Sequence, residues 1–394
     1  MSKRSKPVQS KLRLAVGLTI LFFGLGAVIG WAGFRPTDST VNKTNQSAAN
    51  RPSSEGNSAD STPKPFNNAA LDKTQPAADE PVPGDAPTLF VLGDIMLDRY
   101  IRQSIDNHTP SYPFEDVESL LAGHDLLIAN LEGSITDSAP QPLDPNNTVF
   151  TFDPEVIPAL DKLGFDAFSL ANNHSYDYGS DGFQETKARL TEAGIDTFGD
   201  YFNRESLSLI RTVRGVRIGL VGYHGLKSGL ENVLSEIDRI RPEVDKLIVF
   251  SHWGSEYQTD FNSTQQTAAH SFIDRGADLV LGSHPHVIQP IEVYQDQAVF
   301  YSLGNFIFDQ TFSEATQRGL ALQVELADRE TKFVIVPLGL DRLQATILDG
   351  VERATVLSEL GSHSVAPPDL KSAISQGAFD LPSLALTNSS NLEN

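Results

Sequence analysis

From Thr88 onward, apolar runs of strand length alternate with helical stretches, and each run stops at a residue able to bind a proton or a metal ion. TLFVLGD ends in Asp94, with Asp98 close behind. HDLLIANLEG reaches Asn130 and Glu132, and FDAFSLANNH reaches Asn172, Asn173 and His174. VRIGLVGYHG, KLIVFSHWG and ADLVLGSHPH carry His224, His252 and the pair His284 and His286. Glu256 stands just beyond His252, and Asn305 lies in SLGNF. Between the runs lie PFEDVESLLAG, DPEVIPALDKLG, DGFQETKARLTEAG and QQTAAHSFIDRG; in the second, Val156, Ile157, Leu160 and Leu163 share one helical face. Such alternation predicts an α/β fold whose sheet is covered on both faces. Ligand crevices in these folds lie at the C-terminal ends of the strands, where the polar residues fall. AVFYSLGNFIFD reads as a further strand, and LALQVELADRETKFVIVPLGLDRLQATIL as an antiparallel pair or two at a sheet edge.

Each residue taken alone has an ordinary reading. Asp94 could cap a turn, Asn172 and Asn173 could satisfy backbone groups, and His252 beside Trp253 could be a packed core histidine. Their common placement at successive strand ends argues for one site instead. Pro285 stiffens the turn that carries His284 and His286, so both imidazoles can converge on one ion. Carboxylate, imidazole and amide oxygen together suit Mn²⁺, Fe, Zn²⁺ or Mg²⁺, as one or two ions. The expected ligands are Asp94, Glu132, Asn173, His252, His284 and His286. A carboxylate-bridged pair of metals would activate water, with His174 as the candidate proton donor to a leaving group and Asn173 beside it in the catalytic pair. Asn130, Asn172, Tyr178, Glu256 and Asn305 are candidate substrate contacts, and His224 a further one. His108, His124 and His363 read as surface residues, and His270 as part of a helix.

The N-terminus adds a second constraint. Leu14 to Gly33 contains no charge and is about the length needed to span a bilayer. The basic residues before it, at 1–13, place that end in the cytoplasm and the rest of the chain outside. Gly30 and Ala32 offer a small-x-small cleavage pattern, but the apolar stretch exceeds a usual signal-peptide core, so 14–34 reads as an uncleaved single-pass anchor. Residues 35–86, rich in Ser, Thr, Asn, Pro and Ala, read as a disordered linker, 87–360 as the folded domain, and 361–394 as a disordered tail. The chain has no cysteine, which removes disulfides and thiolate zinc sites. Its net charge of −21, despite five basic residues in the first thirteen, disfavours nucleic acid as a partner.

The ordered series GDIMLDR, NLEGSIT, LANNHSYDYG, SHWGSEY, GSHPHVIQ and YSLGNFIFD, spread over Thr88 to Leu348, resembles the CapA family of poly-γ-glutamate capsule synthesis proteins. That family is related to the calcineurin-like metallophosphoesterases. The resemblance implies a four-layered α/β-β/α sandwich, with Asp94 as the aspartate of the first motif, Asn173 and His174 as the asparagine-histidine motif, and His252, His284 and His286 as the later histidines. Two positions depart from the superfamily: Met96 stands where its first motif has histidine, and Glu132 stands in for a bridging aspartate. The resemblance further implies work on an anionic surface polymer such as polyglutamate, or on a phosphoester, either as a metal-dependent hydrolase or as a non-catalytic scaffold of a synthesis and export complex with membrane synthetase subunits.

Overall fold

The computed structural model describes residues 86–137, 144 and 146–383. The expected basic end, the anchor and all but the last residue of the linker lie outside the described residues. Among the described residues no helix is long and apolar enough to cross a membrane.

Two sheets carry the fold. One orders its strands Gln344–Ile347, Glu330–Asp341, Arg318–Leu326, Thr88–Ile95, Leu126–Leu131, Ala167–Ser169 and Asp196–Phe198. The other runs Ile291–Tyr294, Gln297–Phe300, Leu279–Ser283, Lys246–His252, Val216–His224 and Ser208–Val213. The central strands of each pair in parallel, so their C-terminal ends emerge together.

Strand alternation sorts the core into three layers of packing. Leu89, Val91, Leu126 and Ile128 of the first sheet meet Leu220, Ile248, Phe250 and Leu281 of the second. Their neighbours Phe90, Leu92, Leu127 and Phe168 turn the other way, onto Ile101, Leu160 and Phe183 of the helices Arg99–Asn107, Ile157–Lys162 and Gly179–Glu192. Val221, Val249 and Val280 turn outward onto Val233, Ile237 and Phe272 of the helices Leu230–Ile240 and Ser263–Asp274. The result is helix, sheet, sheet, helix. These strands are apolar on both faces because both faces are covered.

Three segments differ from the sequence reading. AVFYSLGNFIFD is two strands, not one. Gln297–Phe300 belongs to the second sheet, Asn305–Ile307 pairs with Thr88–Ile95 in the first, and the chain crosses between them with Gly304 at φ +70°. PFEDVESLLAG, with a proline near its start, forms a 3₁₀ segment, Tyr112–Val117, and a single α turn, Glu118–Leu121. The stretch after Gly361 is no disordered tail as far as Ser383. It completes the helix Gly350–His363 and adds the helix Pro368–Gln376 and the strand Ala378–Pro382, because Ile374, Phe379 and Leu381 bury against the inter-sheet core.

The helix Ser263–Asp274, which spaces the His252 and His284 strands, starts with a reciprocal cap. Asn262 Oδ1 accepts from Thr264 N and Gln265 N, and Gln265 Oε1 accepts from Asn262 N. Replacing Asn262 with alanine should cost ~1 kcal/mol, read from the denaturant midpoint.

Candidate metal centre

Side chains from the C-terminal ends of both sheets meet in one cluster. Glu132, which follows the strand Leu126–Leu131, is fully buried, and neither of its carboxylate oxygens has a hydrogen-bond partner. Around Oε1 stand three imidazole nitrogens: His286 Nε2 at 3.8 Å, His252 Nε2 at 3.9 Å and His174 Nε2 at 3.9 Å. Atoms sharing one ion through bonds of about 2.1 Å stand ~3–4 Å apart, so Glu132 Oε1 and the nitrogens of His252 and His286 have the spacing of ligands around a cation, with the His174 nitrogen at the same distance on the rim side. Among the described residues, Glu132, His284 and His286 form one group of suitable donors, and Asp94, Glu132 and His252 another. His284 Nδ1 is also buried without a partner. These orphaned atoms and the nitrogen-oxygen donor set fit a divalent metal.

The supporting contacts fix which atom of each side chain faces the centre. Asn172 Oδ1 accepts from two backbone donors, His174 N and Ser175 N, which sets its amide orientation. Its Nδ2 therefore donates to Asn130 Oδ1 at 3.0 Å, and Asn130 Nδ2 donates in turn to Asp94 Oδ1 at 2.7 Å. Both asparagines are fully buried beneath the cluster. The structure thus seats these two expected substrate contacts as supports of the ligands. Asn305 behaves likewise. Its Nδ2 donates to Thr316 O, so its Oδ1 is left to accept from His286 Nδ1 at 3.0 Å, and Nε2 of that ring is turned to Glu132. Asn173 Oδ1 lies 2.6 Å from His252 Nε2. Tyr178 opens the helix Gly179–Glu192, and Glu256 is exposed on the loop beyond His252.

The loop of the two histidines is backbone-strained. His284 has φ +94° and His286 φ +57°. Strain of this kind persists where the surroundings over-determine it. Here Asp94 Oδ2 accepts from His284 N, Pro285 O accepts from Tyr257 N, and Ser283 O accepts from Trp253 N.

Electrostatics follow from burial. Desolvation pushes the Glu132 carboxyl well above the carboxylate range, the charge of His286 opposes this, and Asp94 adds to it. Burial holds His252 well below its ordinary value, and takes His284 down to about 3. His286 is the exception. Burial would lower it, but the charges of Glu132 and Asp94 raise it to about 9. His224, one strand over from His252, is lowered by burial to about 4; its Nδ1 donates to Tyr201 O, and its Nε2 is buried without a partner. The neutral imidazoles are the form a metal requires.

His174 sits at the rim. Its Nδ1 is 2.8 Å from Asp177 Oδ2, its ring stacks on Phe150, and its side chain is 15% exposed. Met96 lies in the outer core, its sulfur accepting from Asp98 N. Asp98 caps the helix Arg99–Asn107. Arg99 and Asp309 both lie inside quoted motifs, yet the sequence reading passed over them; only the fold brings them together at the mouth.

A family model for the bacterial capsule synthesis protein PGA_cap matches residues 88–310, which hold every candidate ligand and His174. The chain belongs to that family. Among its relatives, the capsule biosynthesis protein CapA of Bacillus anthracis is 30% identical over 277 residues, 64% of this chain and 67% of the relative. The PGA biosynthesis protein CapA of Bacillus subtilis is 28% identical over 302 residues, 71% of this chain and 79% of the relative. Among solved structures, TT1561 of Thermus thermophilus aligns over 60% of this chain and 94% of its own, with a TM-score of 0.36 at 12% identity.

Proposed function

We propose that this member of the PGA_cap family is a membrane-anchored, extracytoplasmic, metal-dependent hydrolase acting on a polyanionic surface polymer of the polyglutamate type. The observation that carries the reading is Glu132, buried, unpartnered and ringed by three imidazoles. Residues 14–34 would anchor the chain and residues 35–86 would space the domain from the bilayer.

Asp94, Glu132, Asn173, His252, His284 and His286 would hold one or two divalent ions. Such an ion supplies Lewis acidity and a water acidic enough to be a nucleophile near neutral pH. The chain's own groups do the rest. Asp177 holds Nδ1 of His174, and Phe150 holds its ring, so Nε2 is presented to the crevice at a partly exposed position. From there it can pass a proton to the leaving atom, an amine for an amide bond or an oxygen for a phosphoester. Asn130, Asn172 and Asn305 keep the ligands in place and touch no solvent-exposed polymer.

The test uses the full-length chain prepared without chelator beside a His284→Ala/His286→Ala variant. Metal content and release of amine or phosphate, from poly-γ-glutamate and from a phosphoester, are measured together. The variant should lose its metal and at least a hundredfold of the activity, by analogy with the ~10–100-fold cost of losing even a supporting contact. Full activity in the variant would remove the reading. One observation favours a second: Met96 packs in the core where the superfamily has a histidine ligand. On that reading the chain is a metal-bearing scaffold of a synthesis or export complex. It would bind metal, hydrolyse neither polymer, and co-purify with membrane synthetase subunits.

A further inference from the structure

Arg99 stands where so acidic a protein most needs a cation to receive a polyanion. Its guanidinium lies 4.9 Å from the centre of the Phe150 ring and 5.5 Å from that of Phe308. Each ring in turn abuts a histidine of the centre. Phe150 stacks on His174 with ring centres 4.1 Å apart, and Phe308 packs on His286 at 4.6 Å. The cation is thus one aromatic layer from the candidate proton donor and from a candidate metal ligand. Its backbone is held at φ +53°, an unusual conformation for a residue other than glycine and one that clusters at functional sites.

The donors of Arg99 divide in a useful way. Nε donates to Asp309 Oδ2 at 3.1 Å, Nη2 pairs with Asp309 Oδ1, and Nη1 reaches Asn147 O at 3.4 Å. Asp309 also accepts from Tyr100 N, so its position does not depend on the arginine alone. Of the five N–H groups of a guanidinium, this leaves one on each terminal nitrogen for a further acceptor. The side chain is 12% exposed, so it is not sealed from solvent. Asp309 therefore orients the fork and the aromatic rings hold its plane, with N–H groups on both terminal nitrogens still available to an oxyanion.

We propose that Arg99 is the specificity-determining residue of this site, binding a carboxylate of the polyglutamate chain next to the bond that faces His174. The inference deepens the hydrolase reading and rests on it for the identity of the polymer. Its test is binding, measured by calorimetry with a short γ-glutamate oligomer, with the same oligomer esterified at its carboxylates, and with inorganic phosphate, on the metal-loaded full-length chain. Arg99→Lys keeps the charge but loses the fork, and Arg99→Gln loses both. Because Arg99→Gln leaves Asp309 buried and unpaired, the double variant Arg99→Gln/Asp309→Asn serves as its folding control.

The oligomer should bind wild type and lose at least tenfold in affinity in Arg99→Gln and in the double variant, with Arg99→Lys nearer to Arg99→Gln than to wild type. The ester should bind all four proteins equally weakly, and metal content should be unchanged in all of them. Equal oligomer affinity in wild type and in the folded double variant would overturn the proposal, as would an ester that binds as well as the acid. Binding of phosphate alone, lost with Arg99, would move the assignment from a carboxylate to a phosphate and overturn the polymer part. A wild type that takes up no metal would instead sink the hydrolase reading, which separates the two failures.

Discussion

Replacing Glu132 with glutamine should abolish metal binding and, in the same protein, raise the thermal stability of the metal-free form. The two effects have one cause. Both oxygens of this carboxylate are buried without a hydrogen-bond donor, so in the metal-free protein its charge is uncompensated except by His286. A carboxyl whose folded pKa lies above its unfolded value of 4.5 binds its proton more tightly in the native state. Its contribution therefore becomes destabilising as pH rises above 4.5 toward the folded value, and that penalty is present in full once the pH exceeds the folded value. Glutamine removes the charge at nearly constant volume. The amide is as unpartnered as the carboxyl it replaces, so the gain is the relief of the charge penalty alone; at ~1 kcal/mol per about 2–4 °C for a domain of this size, the metal-free variant should melt a few degrees higher at neutral pH. The gain should shrink toward pH 4.5. With metal the order reverses, because wild type gains binding energy that the variant lacks. Calorimetric melting of both proteins, with chelator and with added Mn²⁺ or Zn²⁺, checks the crossing. Parallel shifts of the two proteins would show that Glu132 is not the group that meets the metal.

Gly93→Ala should be strongly destabilising. Gly93 precedes Asp94 in the strand Thr88–Ile95, and an added Cβ would overlap the carbonyl oxygen of Gly304, with the Gly304 carbonyl carbon at 3.0 Å. That same oxygen accepts from Asp94 N, and Asp94 registers with Asn305 of the strand that begins there. The obstacle is backbone on both sides and no side chain can swing away. Overpacking with nothing to yield belongs to the class of substitutions that cost more than ~4 kcal/mol. The expected result is a chain that does not accumulate in folded form, or one whose melting midpoint falls by more than about 10 °C, roughly what that cost implies. A variant that melts within a degree or two of wild type would mean that the two backbones separate easily.

The layers were legible because strand length, helix faces and glycine stops repeat along the chain. Val156 and Leu160 face the outer core as their spacing requires, and Leu89 and Phe90 face opposite sides of their sheet as alternation requires. The gathering of Asp94, Glu132, His252, His284 and His286 was legible for the same reason: each ends a strand, and parallel strands end together. Other features were not. Nothing local says that AVFYSLGNFIFD changes sheets, since both halves are apolar and of strand type. The small, polar composition after Gly361 hid Ile374, Phe379 and Leu381, which bury in the structure. Asn130, Asn172 and Asn305 look like substrate contacts in a list of polar residues, and only their hydrogen-bond directions make them supports.

What the chain determined by itself is therefore the periodic part: which segments form strands and helices, that both sheet faces are covered, and that donors of metal-binding chemistry collect at the strand ends. Those follow from short-range rules, where each residue's environment is set by its spacing from its neighbours. What the tertiary structure decided is which atom of each donor faces the centre, that Glu132 is left without a partner, and that Arg99 meets Asp309 at the mouth, 210 residues away in the chain. Those depend on hydrogen-bond direction and on desolvation, and both exist only after distant segments have excluded water from between them.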